Sequence, residues 1–188
     1  MRRTLCTLAL ALAASLNAAA APRATQATQD KEAARVATRE RLRKLLEVAG
    51  QEKGINIPFR QSDKQPFNFI GVMRDGLTNC DSLEIVIGVT NNDTIGFRVY
   101  PHYNGSYVNI DKAKNGPGLM RMLLGMSDEN FLFWGADTSG DVFSGYTVTL
   151  ESGFPEEAIV IVLRSIKNTD GFVGKMRPVI DGSYAPAK

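Results

Sequence analysis

The chain has 188 residues, 44% of them hydrophobic, which is enough for one ordinary core, and it offers no linker on which to divide that core in two. Its 22 Lys and Arg exceed its 20 Asp and Glu only by Arg2 and Arg3, so beyond residue 20 the charge is balanced. That balance excludes the basic footprint of a nucleic-acid binder or of a protein held on an anionic membrane.

At the start, Arg2-Arg3, the apolar run from Thr4 to Leu16 and the small residues Ala18-Ala19-Ala20 have the three parts of a secretory signal peptide, with cleavage near Ala20. The apolar run is shorter than the roughly 18 residues a membrane-spanning helix needs, and no later run reaches that length. The mature protein is therefore expected in the periplasm or secreted, with no stable membrane insertion. Cys80 is then its only cysteine and has no intramolecular partner for a disulfide; burial is the expected state of such a thiol.

Residues 21–29, rich in Ala, Thr and Gln without apolar periodicity, read as a flexible tether, residues 30–181 as a single domain and residues 182–188 as a loose tail. Asp30 is a good N-cap and Gly50 a good stop, and between them Leu42, Leu45, Leu46 and Ala49 fall on one helical face. Basic residues on this helix are interleaved with Glu40 and Glu47, the pattern of a solvated face. After Pro66 the period changes to two, with Phe67, Phe69, Gly71 and Met73 on one side of a strand that ends at Asp75-Gly76. Leu83 to Val89 and Ile95 to Tyr100 continue a meander around the turn Asn91-Asn92-Asp93. Pro101 is expected to weaken the ladder, and Ser106 to Ile110 reads as a short edge strand or an ordered loop.

Pro117 suits the first position of a helix reaching about Met126, apolar on more than one face through Leu119, Met120, Met122, Leu123, Leu124 and Met126. That face is either core or a surface for a second copy or a partner. Next comes a hairpin: Phe131 to Trp134, the turn Asp137 to Asp141, and a strand from Val142 to Leu150. Phe131, Phe133 and Val148 are expected to anchor the sheet to the last helix, with Trp134 capping the core or meeting a partner. That helix starts at Pro155 with Ile159, Val162, Leu163 and Ile166 inward, and Asp170-Gly171 interrupts it.

Little in this sequence points to catalysis. His102 is the only histidine, which excludes zinc sites built on several histidines and leaves one base for any serine-based mechanism. Ser106 lacks the strand-to-helix elbow of a hydrolase nucleophile. Asp137, Ser139 and Asp141 fit ordinary turn chemistry, without the distal glutamate of a calcium loop. Gly116-Pro117-Gly118 lacks the lysine of a phosphate-binding loop. No catalytic, cofactor or metal residue is assigned. The candidates for partner binding are Tyr100, His102, Tyr103, Tyr107, Met120, Met122, Met126 and Trp134, because amphipathic rings and adaptable methionines suit interaction surfaces.

The expected fold class is α+β, an antiparallel twisted sheet of about five strands with helices packed on it, in the order α-β-β-β-α-β-β-α. That order, the run Leu119-Met120-Arg121-Met122-Leu123-Leu124, the segment from Asn130 to Asp137 and Phe154-Pro155-Glu156-Glu157 resemble the bacterial YbjN-type domain, whose fold is that of type III secretion chaperones. The resemblance covers roughly Glu40 to Arg177 and implies a non-enzymatic domain, often dimeric, that holds protein partners. The expected function is accordingly an exported protein-binding or chaperone-like module of the bacterial periplasm, able to form a homodimer. Two alternatives stand beside it: an immunity or inhibitor protein blocking a secreted enzyme, and a small periplasmic hydrolase using His102.

Overall fold

The structure, a computed structural model, describes residues 21–130 and 133–183, with the backbone alone at 21–25 and 130. The leader 1–20, Phe131, Leu132 and all but the start of the tail lie outside the described residues. The elements are α1 (Ala21–Ala49), β1 (Phe59–Gln61), β2 (Asn68–Met73), β3 (Ser82–Val89), β4 (Thr94–Tyr103), β5 (Ser106–Tyr107), α2 (Gly116–Asn130), β6 (Phe133–Ala136), β7 (Val142–Thr149), α3 (Glu156–Ser165) and α4 (Asn168–Ile180). All strand pairs are antiparallel, in the order β1-β2-β3-β4-β7-β6, with β5 on the end of β4.

The class is α+β as expected, and the sheet has seven strands rather than five. One extra strand, β1, is only three residues long, too short to carry a readable alternation; the other, β5, is the short edge segment after Asn104-Gly105. Strand β4 runs through Pro101 to Tyr103 instead of weakening there. The Pro101 carbonyl accepts from the Val108 N–H at 2.9 Å, on the side where β7, paired only as far as Val99, has already ended. The missing N–H therefore interrupts no β3–β4 bond.

Among the described residues α1 runs from Ala21, so the residues expected as a tether are helical. Alanine and glutamine favour helix, so this stretch is helical without an apolar stripe. The expected stripe holds its other end: Leu42, Leu46 and Ala49 are buried and Leu45 packs beside them. Midway along, Arg35 donates from Nε and Nη2 to the Val89 carbonyl at 3.1 and 2.9 Å and lies 3.6 Å over the Phe67 ring. Glu40 binds Arg39 and Arg43 at 2.8 and 3.0 Å on the exposed charged face.

The helices all pack on one face of the sheet. Alternate residues of β2, β3 and β4, among them Phe69, Ile85, Ile87 and Phe97, form the main core with α1, Ile159 and Leu163 of α3, and Val173 of α4. A second cluster gathers Leu119, Leu123 and Met126 of α2 with Met176 and Val179 of α4 against Val108, Trp134 and Val142. The last helical segment divides at Ile166–Lys167, before rather than at Asp170-Gly171. Asp170 sits in the first turn of α4, where a carboxylate complements the positive end of the helix dipole. It also receives hydrogen bonds from the chain entering β3: the N–H groups of Thr78, Asn79 and Cys80, the Thr78 hydroxyl, the Asn79 amide and the Cys80 thiol.

Helix α3 is not covered all round, although Val160 and Ile161 widen its apolar surface: Ile161 is 64% exposed. Among the described residues no helix covers the opposite face of the sheet.

Candidate functional site

Period-two alternation sends every second residue of a strand to the uncovered face. On β4 these are Gly96, Arg98, Tyr100 and His102, and the register sets them beside Gly88, Val86, Glu84 and Ser82 of β3. On the other flank Gly96 lies opposite Thr147, and Arg98 opposite Gly145, which in turn faces Phe133 of β6.

This arrangement joins five rings into one band across the sheet. Phe133 and Phe143 stand 5.8 Å apart between centroids, Phe143 and Tyr100 5.5 Å, Tyr100 and Tyr107 5.8 Å, and Tyr107 and His102 4.1 Å. Phe143 is buried yet belongs to neither helix-covered cluster; its cover is Phe133, Tyr100 and the Arg98 guanidinium, 4.6 Å over its ring. Gly145 makes room for this, since a Cβ there would meet the Phe133 ring at 2.7 Å. Burial first, and then the Glu84 carboxylate beside it, push the Tyr107 phenol up to about 12.

Next to the band lies a trough of about 930 Å³, lined on the uncovered face by Val86, Gly88, Gly96, Arg98 and Thr147 together with Tyr100, Phe133 and Phe143, and also by Val148 of β7 and Val162 of α3, which pack against the main core. Arg98 is the only charged residue in its lining and is exposed. Its Nη1 donates to the Tyr100 hydroxyl at 3.4 Å, and among the described residues it has no carboxylate within ion-pair distance.

The residues singled out from sequence separate into groups. Tyr100, His102 and Tyr107 come together in the band. Tyr103, one position further along β4, points to the helix side, where its hydroxyl donates to Asp181 at 2.8 Å and accepts from Arg177 Nε at 3.1 Å. Trp134 and Met126 are buried in the second cluster and so present no surface to a partner. Met122 is half-buried against the same cluster, whereas Met120 stays exposed beside Leu124. Phe133, expected to face the last helix, is 60% exposed on the opposite side, because pairing with β7 sets it across from Gly145 and gives the inward position, across from Ser144, to Trp134. Val148 packs on the main core as expected.

No family model, no curated protein and no solved structure matches this chain.

Phe143, Arg98 and Gly96 had no motif to mark them. The signal that finds them is the alternation Gly96, Arg98, Tyr100, His102, read together with the pairing of β4 and β7. Chemically the band and trough can stack on rings or apolar groups and pair a cation with an anion. Among the described residues His102 makes a ring contact with Tyr107 and no hydrogen bond to a carboxylate or to Ser106. In the Asp137 turn the carboxylate accepts from the N–H groups of Ser139 and Asp141 at 2.9 and 3.1 Å, a local turn closure. Among the described residues no group of three His, Cys, Asp or Glu is placed to hold a metal ion, and no helix is long and apolar enough to cross a membrane.

Proposed function

We propose that this protein is a non-enzymatic binding module, exported to the bacterial periplasm, that holds a protein partner on the uncovered face of its sheet. One observation carries the reading: a continuous aromatic band crosses a sheet face that no described helix covers. An antiparallel sheet that faces water ordinarily presents polar residues there, and amphipathic rings flanked by an arginine are the chemistry of protein interfaces. The sequence resemblance to YbjN-type domains points the same way.

The test places a photo-crosslinking amino acid at Phe133 on the uncovered face or at Glu157 on the helix side, in cells exporting the protein. Adducts with a distinct protein from position 133 and not from 157 are expected. Equal labelling from both positions, or no adduct from 133, would overturn the reading. A captured partner that is a secreted enzyme losing activity in the complex would identify the inhibitor variant of the same role.

Self-association has a separate surface. Met120 and Leu124, 50% and 69% exposed, stand at i and i+4 on α2 and form an apolar ridge away from the sheet. A homodimer through this ridge should become monomeric on Leu124→Glu in sedimentation; a wild-type monomer would dismiss it.

A further inference from the structure

Gly96 lies inside β4 with no internal reason to be glycine. Its φ is not in the left-handed region, and a Cβ built on it would meet only the Thr90 methyl at 4.0 Å. Other strand glycines here have a structural cause: Gly88 accommodates the Asn68 amide, Gly71 the Phe59 ring, and Gly145 the Phe133 ring. A glycine in a strand interior weakens the strand, and where nothing in the chain needs the space it marks close approach by something else. Gly96 and Gly88 are paired neighbours in the floor of the trough, and since the Asn68 amide lies over Gly88, Gly96 is the bare part of that floor.

Above that floor stands Arg98, held over Phe143, its charge without a carboxylate among the described residues. The guanidinium lies 4.6 Å from the centre of that ring on an exposed side chain, so its N–H groups can donate to a carboxylate from outside. The trough crosses the sheet from Asn68 on β2 to Phe133 on β6, roughly 19 Å at about 4.8 Å per strand, the reach of about six extended residues.

We infer that the trough takes an extended acidic segment of a partner polypeptide, its backbone or a small side chain lying over Gly96, an Asp or Glu paired with Arg98, and apolar side chains against Phe133 and Tyr100. The inference rests on the binding-module reading above and names the partner's chemistry. Two other occupants fit less well. A trough on an open sheet face cannot enclose a small ligand as binding pockets do. A second copy laid on a two-fold axis near the centre would oppose Arg98 to its own mate.

The experiment selects randomised eight-residue peptides displayed on phage against the immobilised protein, then measures synthetic versions of the enriched sequences by fluorescence anisotropy. Enriched sequences are expected to carry Asp or Glu between apolar residues. Gly96→Val, which fills the floor, and Arg98→Gln, which removes the charge, should each weaken binding at least tenfold with no fall in melting temperature, whereas Ile161→Ser on the helix side should not weaken it. Arg98→Gln alters an exposed side chain, so it keeps the test open if Gly96→Val fails to fold. Enriched peptides without a carboxylate, or binding indifferent to both variants, would overturn the inference while leaving a binding module in place. Failure to enrich any peptide would also overturn it, and the cross-link at position 133 would then judge the broader reading alone. A dimer that Gly96→Val converts to monomer would assign the trough to a second copy and overturn it too.

Discussion

The Cys80 thiol donates a hydrogen bond to the Asp170 carboxylate at 3.2 Å, joining the entry to β3 with the first turn of α4 across 90 residues of chain. Burial alone would raise the Asp170 pKa. The N–H of Asn79, the thiol of Cys80 and the N–H and hydroxyl of Thr78 outweigh it and hold the carboxyl well below the usual range. Asp170→Asn should cost about 3 kcal/mol at neutral pH, because hydrogen bonds to a charged acceptor are lost and buried donors are left opposed to an amide. A lowered folded-state pKa gives stability that is present above about pH 4 and drains away as the pH falls toward the folded value. The gap between wild type and Asp170→Asn in urea melts should therefore narrow at pH 3; an equal gap at pH 7 and pH 3 would contradict the account.

Cys80 should be chemically silent in the folded protein. Burial first, and then the adjacent Asp170 carboxylate, push its thiol far above the ordinary range, so almost no thiolate exists at neutral pH. In a chain carrying Cys6→Ser, a disulfide-exchange reagent should label Cys80 only as fast as the protein unfolds. Labelling in seconds without denaturant would show that the site opens locally.

Two glycines two strands apart should respond in opposite directions. At Gly71 a Cβ would meet the Phe59 ring at 2.7 Å and the Ile57 side chain at 2.5 Å, so Gly71→Ala should cost about 1–3 kcal/mol through overpacking. At Gly96 the space is open, and Gly96→Ala should gain roughly 0.5 kcal/mol by restricting the unfolded chain. Denaturant midpoints decide both, and destabilisation by Gly96→Ala would show a constraint that the geometry does not contain.

Adjacent leucines on α2 provide a test of its orientation. Leu123 is 4% exposed in the second cluster and Leu124 is 69% exposed. Leu123→Ala should cost about 3 kcal/mol, whereas Leu124→Ala should stay within about 0.5 kcal/mol. Comparable losses would mean that α2 is covered on both sides.

Much of the helix-covered face was legible because periodicity is written locally: Phe69 and Met73 on β2, and Leu42, Leu46 and Ala49 on α1, fall inward as their spacing requires. What was not legible depended on partners far along the chain. Asp170 looked like a helix breaker because its donors lie some 90 residues away. Arg98 carries no local sign of its surroundings, which depend on the β4–β7 register that sets it across from Gly145 and beside Phe143. Phe133 lies on the face opposite the one expected because the β6–β7 register, not the strand's own sequence, sets its parity: Trp134 falls across from Ser144 on the helix side and Phe133 across from Gly145 on the other. Of the histidine and tyrosine candidates, Tyr100, His102 and Tyr107 lie on one surface because Tyr100 and His102 share parity and Tyr107 pairs with His102, whereas Tyr103 has the opposite parity.

Trp134 is the only tryptophan in the chain, 4% exposed, with its ring 5.8 Å from Phe172 and its indole N–H without an acceptor among the described residues. Intrinsic fluorescence of this protein is thus a local signal, sensitive to water reaching the α2–α4 cluster and blind to events over Gly96. Cys80 lies in the other cluster, so emission wavelength and thiol labelling, followed through one unfolding reaction, would time the loss of the two halves of the interior separately.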